Sequence, residues 1–97
     1  MKMLIPVNYW GLLKQEVVEI DLVIHLKGLR FGLHRPSKKE RYRDQLWSIS
    51  EIETGILICS GMFKDFTIKK AINIIEKQHE LILEKKEDFY TKLYLVD

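Results

Sequence analysis

From Val18 to Lys27 the chain alternates, with Val18, Ile20, Leu22, Ile24 and Leu26 on one side and Glu19, Asp21, Val23, His25 and Lys27 on the other. A period of two predicts a half-buried strand, because successive side chains of an extended backbone point to opposite faces. Gly28 interrupts it, and LRFGLH (29–34) reads as a partner strand in which Gly32 marks a bulge or a close approach. The polar stretch RPSKKERYRD (35–44) predicts a loop, since Pro36 cannot sit in a central strand. LWSISEIE (46–53) returns to strand pattern, with Leu46, Ile49 and Ile52 apolar and Trp47 beside them. Glu53-Thr54-Gly55 then predicts a turn, ILICS (56–60) its return strand, and Gly61 the end of that hairpin.

The period changes after Thr67. Ile68, Ile72, Ile75, His79 and Ile82 fall at helical spacing, and Ala71, Ile74 and Leu81 widen the stripe. Asp65 or Thr67 is the expected N-cap, an oxygen-bearing side chain for the free N–H groups of the first turn. Ile68, Ile75, Ile82, Phe89 and Val96 also recur every seven residues, a spacing that would let a continuous helix pair with a second copy of the chain. The simpler expectation is a helix ending near Glu87 or Asp88, followed by YTKLYLV as a short strand or docked tail. The first fifteen residues fit a strand, a short helix or both. The pattern as a whole predicts one α+β domain over residues 1–97. Its antiparallel sheet has four to five strands and packs against one long C-terminal helix.

Composition changes this picture little, but charge changes it more. Ninety-seven residues support one core, and no apolar run reaches the ~18 residues of a membrane span. The opening MKMLIPVNYWGLL lacks the cleavage pattern of a secretory signal, and the single cysteine, Cys59, fits a reducing compartment, so a cytoplasmic location is expected. Net charge is +2, yet residues 30–44 hold six cations against two anions, which leaves the rest of the chain at −2. All four arginines (Arg30, Arg35, Arg41 and Arg43) lie in that segment, while the 12 lysines are spread along the chain. With 12 isoleucines and one alanine, Ala71, the composition is that of an AT-rich genome, which favours lysine codons. Arginine in such a chain suggests a need for its planar fork, which grips carboxylate or phosphate at two points.

Candidate chemistry points the same way. His25, His34 and His79 have no partner at metal-ligand spacing, so no metal site is expected. Cys59 lies among isoleucines and leucines, where a thiol is a small hydrophobe, and no glycine-rich phosphate loop is present. The chain is therefore expected to be non-catalytic and to need no cofactor. Its candidate contact residues are Arg30, Arg35, Lys38, Lys39, Arg41 and Arg43 as donors, with Tyr42 and Trp47 for stacking. Nucleic acid would suit such a run, but Glu76, Glu80, Glu84 and Glu87 make the helix acidic, and an acidic protein groove would suit the loop equally.

Residues 47–72 (WSISEIETGILICSGMFKDFTIKKAI) run Trp, strand, Thr-Gly turn, strand, Gly and a Thr-Ile-Lys-Lys-Ala-Ile helix start. This resembles the strand–turn–strand–helix core of small phage and mobile-element accessory proteins. It is similar, more loosely, to the sheet-plus-helix arm-binding domain of phage tyrosine recombinases. It departs from the latter in its acidic, apolar hairpin (Glu51, Glu53, Ile56, Leu57) and in having Ile72 after Ala71 with no glutamate before it. The resemblance implies a compact inhibitor or modulator that docks on a host protein or nucleoprotein complex, such as a CRISPR or restriction nuclease. It also implies self-association as a dimer, for which the C-terminal helix is the expected surface. The alternative is a direct DNA- or RNA-binding module using residues 34–43. No membrane partner is expected.

Overall fold

The computed structural model describes residues 1–9 and 11–95. Among these, β1 (Lys2–Tyr9) and β2 (Leu12–Glu19) form an antiparallel hairpin, so the opening of the chain is strand. The strands β3 (Leu22–Leu26), β4 (Leu29–His34), β5 (Trp47–Glu51) and β6 (Leu57–Gly61) form a second antiparallel sheet in sequential order. One helix, α1 (Lys64–Leu95), crosses β5 and β6. The α+β class with a four-stranded sheet against a long helix is as the sequence pattern predicts.

The alternation over residues 18–27 belongs to two strands. The amide of Ile20 donates to Met1 O in the hairpin (2.8 Å), and the next amide, Asp21, donates to Leu33 O in β4 (2.7 Å). The chain passes between sheets there without losing its period, because both sheets bury every second residue. The β3–β4 turn has Lys27 and Gly28 both at positive φ (56° and 75°), the pattern of a type I′ turn.

Alternation gives β4 and β5 two different faces. Phe31, Leu33 and Ile49 are fully buried with Cys59 against Ala71, Ile75 and Ile82 of α1. Gly32, His34, Ser48 and Ser50 point the other way, towards the β1–β2 hairpin, which keeps its own cluster of Met3, Ile5, Val7 and Val18. Gly32 is a close approach, not a bulge: a Cβ there would lie 3.0 Å from Met3 Sδ and 3.2 Å from Ile20 Cγ1. The bulge lies in β6, where Ile49 pairs with Cys59 and Ser50 with Leu57, leaving Ile58 over. Gly55 is needed twice, for its φ of +75° and because a Cβ would meet Leu4 O of β1 at 2.6 Å.

The helix begins before either expected cap. Phe63 O accepts from both the amide (2.9 Å) and the hydroxyl (2.7 Å) of Thr67, so Thr67 turns inward against Gly61 instead of capping. Asp65 sits in the first turn, where a carboxylate favours the helix dipole. The helix also runs past Glu87 and Asp88 to Leu95, so residues 89–95 are helical and neither strand nor tail. Gln78 (φ −127°, ψ 23°) kinks it. Ile68, Ile75 and Ile82 of the seven-residue repeat pack on the chain's own sheet, half-buried Phe89 lies edge-on to Tyr90, and Val96 lies outside the described residues.

Beyond the kink the helix is held by charge. Lys86 Nζ lies 2.9 Å from Glu53 and 3.6 Å from Glu51, and the Tyr90 hydroxyl donates to Glu53 (2.7 Å). Glu51 is fully buried, and its carboxylate also accepts from the Glu53 amide (2.7 Å) and the Thr54 hydroxyl (3.0 Å). A buried carboxylate persists only when so satisfied.

Two outcomes follow for stability. Phe31→Ala should lower the unfolding free energy by about 3–5 kcal/mol in urea titration, while Leu13→Ala, on the exposed hairpin end, should change it by less than about 0.5. The Tyr90 and Lys86 contacts hold the Glu53 carboxyl below its ordinary value of 4.5. Its contribution is thus complete above pH 4.5 and lost as pH falls through the depressed value. Hydrogen exchange should show residues 79–90 losing protection in that acid range before the β4–β5 pair does; simultaneous loss would refute an acid-labile clamp.

Candidate functional site: a braced basic loop

The segment between β4 and β5 starts from a buried histidine. The His34 Nδ1 lies 2.7 Å from Arg35 O, which can only accept, so Nδ1 carries the proton and Nε2 accepts from the Ser50 hydroxyl (2.8 Å). Burial pushes the His34 pKa down from 6.5, against the carbonyl contact that favours the charged ring. His34 is thus a neutral anchor, not a member of the cationic surface.

Arg35 has an internal task as well. Its guanidinium stacks 3.6 Å from the Trp47 ring centre while Nη1 donates to Asp44 O (3.1 Å) and Leu46 O (2.9 Å). Lysine cannot stack and fork at once, which explains this arginine without a partner. Trp47 also faces Lys64, 5.1 Å from its ring centre and ion-paired to Asp21 at 2.5 Å. Of the two aromatics expected to stack on a partner, Trp47 is therefore used within the chain, and Tyr42 stays exposed with Arg41 5.6 Å from its ring centre.

The hairpin holds the other side of the loop. Glu16 of β2 accepts from the Ser37 hydroxyl (2.9 Å) and the Lys38 amide (2.8 Å), and Lys39 Nζ donates to Asn8 O of β1. Glu40 N donates to Ser37 O (2.9 Å), and the 3-10 turn Arg43–Gln45 leads into β5. Nothing in the sequence marked Glu16 or Asn8 for this role, because their link to the loop exists only once the hairpin lies on the sheet. The Lys38 and Arg41 side chains remain exposed.

The candidate residues do not form one array. Arg30 projects from β4 opposite His25, and its field reaches Glu53 at the β5–β6 turn. Arg35, Lys38 and Arg43 instead converge with Lys2, Val17, Val18 and Glu19 around a recess of about 330 Å³. Arg43 Nε is buried without a hydrogen-bond partner, and its Nη1 reaches Asp44 only at 3.7 Å.

A second cleft, of about 530 Å³, lies between β1 and the polar sheet face. Ile5, Val7 and Leu57 wall it, and the Ser48–Ser60 hydroxyl pair (2.8 Å) lies at its floor with His34 and Ser50. Those last two are only 2 % and 1 % exposed, and the Ser50 hydroxyl is taken up by His34 Nε2. Burial also pushes the Cys59 thiol up, only partly offset by Lys70, and its Sγ faces Thr67 O at 3.6 Å. Neither Ser50 nor Cys59 is presented as a nucleophile.

No protein-family model, curated protein or solved structure matches the chain. Among the described residues no helix is long and apolar enough to cross a membrane, and no group of three His, Cys, Asp or Glu side chains could hold a metal ion.

Arg35→Lys should destabilise the protein by about 1–2 kcal/mol, since stack and fork are both lost with charge retained. Limited trypsin digestion should then cut faster between Lys38 and Arg43; unchanged cleavage would show that Arg35 does not brace the loop. Because the His34 pKa is lowered, its contribution is complete above pH 6.5 and is lost as pH falls through the folded value. The melting temperature should therefore fall as pH drops below 6.5, and His34→Gln should flatten that slope.

Proposed function

We propose that this is a non-catalytic binding protein that docks through its basic loop on an acidic surface of a host protein or nucleoprotein complex. This is the mode of a phage-type inhibitor of a CRISPR or restriction nuclease acting in the cytoplasm. One observation carries the reading: residues 34–43 are charged yet braced from both sides, by Arg35 on Trp47 and by Glu16 on Ser37 and Lys38. A loop ordered in advance loses little entropy on binding, and exposed Lys38 and Arg41 can steer an acidic partner into register. The buried state of Ser50 and Cys59 supports a role without covalent chemistry.

Self-association belongs to the same proposal in a changed form. Ile68, Ile75 and Ile82 are occupied by the sheet, so a helix-mediated dimer would use another face of the helix, one that carries the exposed Leu81. Direct nucleic-acid binding is the second reading, favoured by the recess at Arg35, Lys38 and Arg43.

Affinity capture from host lysate, with and without nuclease treatment, separates the readings. A protein partner retained after nuclease treatment and lost with Lys38→Glu/Arg41→Glu supports docking. Equal capture by that double variant overturns it. For direct binding to duplex DNA through Lys38, Arg41 and Arg43, log K should fall with log salt at a slope of about −2.7.

A further inference from the structure

We propose that the recess formed by Arg35, Lys38, Arg43 and Lys2 seats a phosphate ester, presented by the nucleic-acid strand of a nucleoprotein partner. The inference rests on the loop being the contact surface, and it names the group that the surface takes.

The charge balance of the recess comes first. Four cations line it, and Glu19 is the one carboxylate among its lining residues. Glu19 is already shared by Lys2 at 3.6 Å and the amino terminus at 3.9 Å. Arg35 spends Nη1 on two neutral carbonyls, which leaves its charge unneutralised, and Arg43 meets a carboxylate only at 3.7 Å. Like charges gathered in a concave site repel unless an anion sits among them, and the concavity focuses their field on it.

The second observation is a donor without an acceptor. A buried, unbonded N–H is costly, because it has lost water without gaining an acceptor. Arg43 Nε is such a group, and among the described residues it is the one buried side-chain polar atom left unpartnered. Arg43 lines the recess, so its guanidinium is a donor group that the chain leaves partly unused there.

Shape selects the anion. A planar carboxylate is matched by one arginine fork, whereas a recess lined by cations from the hairpin, the loop and the 3-10 turn suits a tetrahedral oxyanion that takes donors from several sides. A volume of about 330 Å³ exceeds what one phosphate group needs, and the exposed Val17 offers an apolar wall for the carbon skeleton beside it. The group expected is thus a phosphate with its sugar attached.

The full chain is titrated with inorganic phosphate, a nucleoside 5′-monophosphate, the matching nucleoside and a single-stranded oligonucleotide, at constant ionic strength, following backbone amide shifts. Saturable shifts at residues 17–19 and 35–44 with the monophosphate, and none with the nucleoside, are expected. Arg43→Ala and Lys38→Ala should each weaken binding about tenfold, Arg43→Lys should not restore it, and Lys77→Ala on the helix should change nothing. Retained amide dispersion shows that the variants are folded, and a rise in melting temperature with monophosphate concentration gives an independent readout. Tighter binding of the oligonucleotide than of the monophosphate supports a strand as the source, and equal binding overturns the strand in favour of a free phosphate ester. No saturable shift, or the same shift with chloride, overturns the recess altogether. Failure of docking is read separately. Partner capture that survives Arg43→Ala while phosphate binding is absent removes the recess and leaves docking intact. Phosphate binding by a protein that captures no partner does the reverse.

Discussion

Strands β4 and β5 are buried on both faces, and that constraint organises the rest of the molecule. One face is apolar and complete: Phe31, Leu33 and Ile49 exclude water against the helix. Burying a large apolar side chain is worth roughly 1.5–3 kcal/mol, so this layer dominates stability. The other face is small and polar, because Gly32 must admit Met3 and Ile20, and because His34, Ser48 and Ser50 must satisfy one another. An apolar face there would hold the hairpin but could not anchor the loop through His34.

Loop order follows from that second face. His34 ends β4 as a neutral ring bound to Arg35 O and Ser50, and Arg35 then stacks on Trp47 at the start of β5. The hairpin, seated on the same side, supplies Glu16 and Asn8. Electrostatics on the loop are thus asymmetric. Arg35, Lys38 and Arg43 line a recess beside the hairpin with Lys2, while Arg41 is exposed and lies outside it.

Much of the fold was legible because its signals are local. Residues 22–34 read correctly as a hairpin, since Gly28 and the alternation around it are sufficient for a two-residue turn. The β5–β6 turn was likewise marked by Gly55. Errors arose where two structures share one pattern. Alternation over residues 18–27 could not report a change of partner at Ile20 and Asp21. A seven-residue repeat serves a sheet-packed helix as well as a coiled coil, so Ile68, Ile75 and Ile82 could not say which they pack against. The end of the helix was misplaced because Lys86 and Tyr90 are tied to Glu51 and Glu53, more than thirty positions earlier in the chain.

The amino-acid sequence by itself determined the element types, the apolar faces and the concentration of arginine between residues 30 and 43, because each depends on near neighbours or on composition. Only the tertiary structure decided how those arginines divide. Arg35 became a brace, Arg30 went to the far turn, and Arg43 came to line a recess with its Nε buried and unpartnered. That division depends on where the hairpin lands on the sheet, and charge along a chain carries no record of which distant backbone carbonyl or carboxylate will meet it.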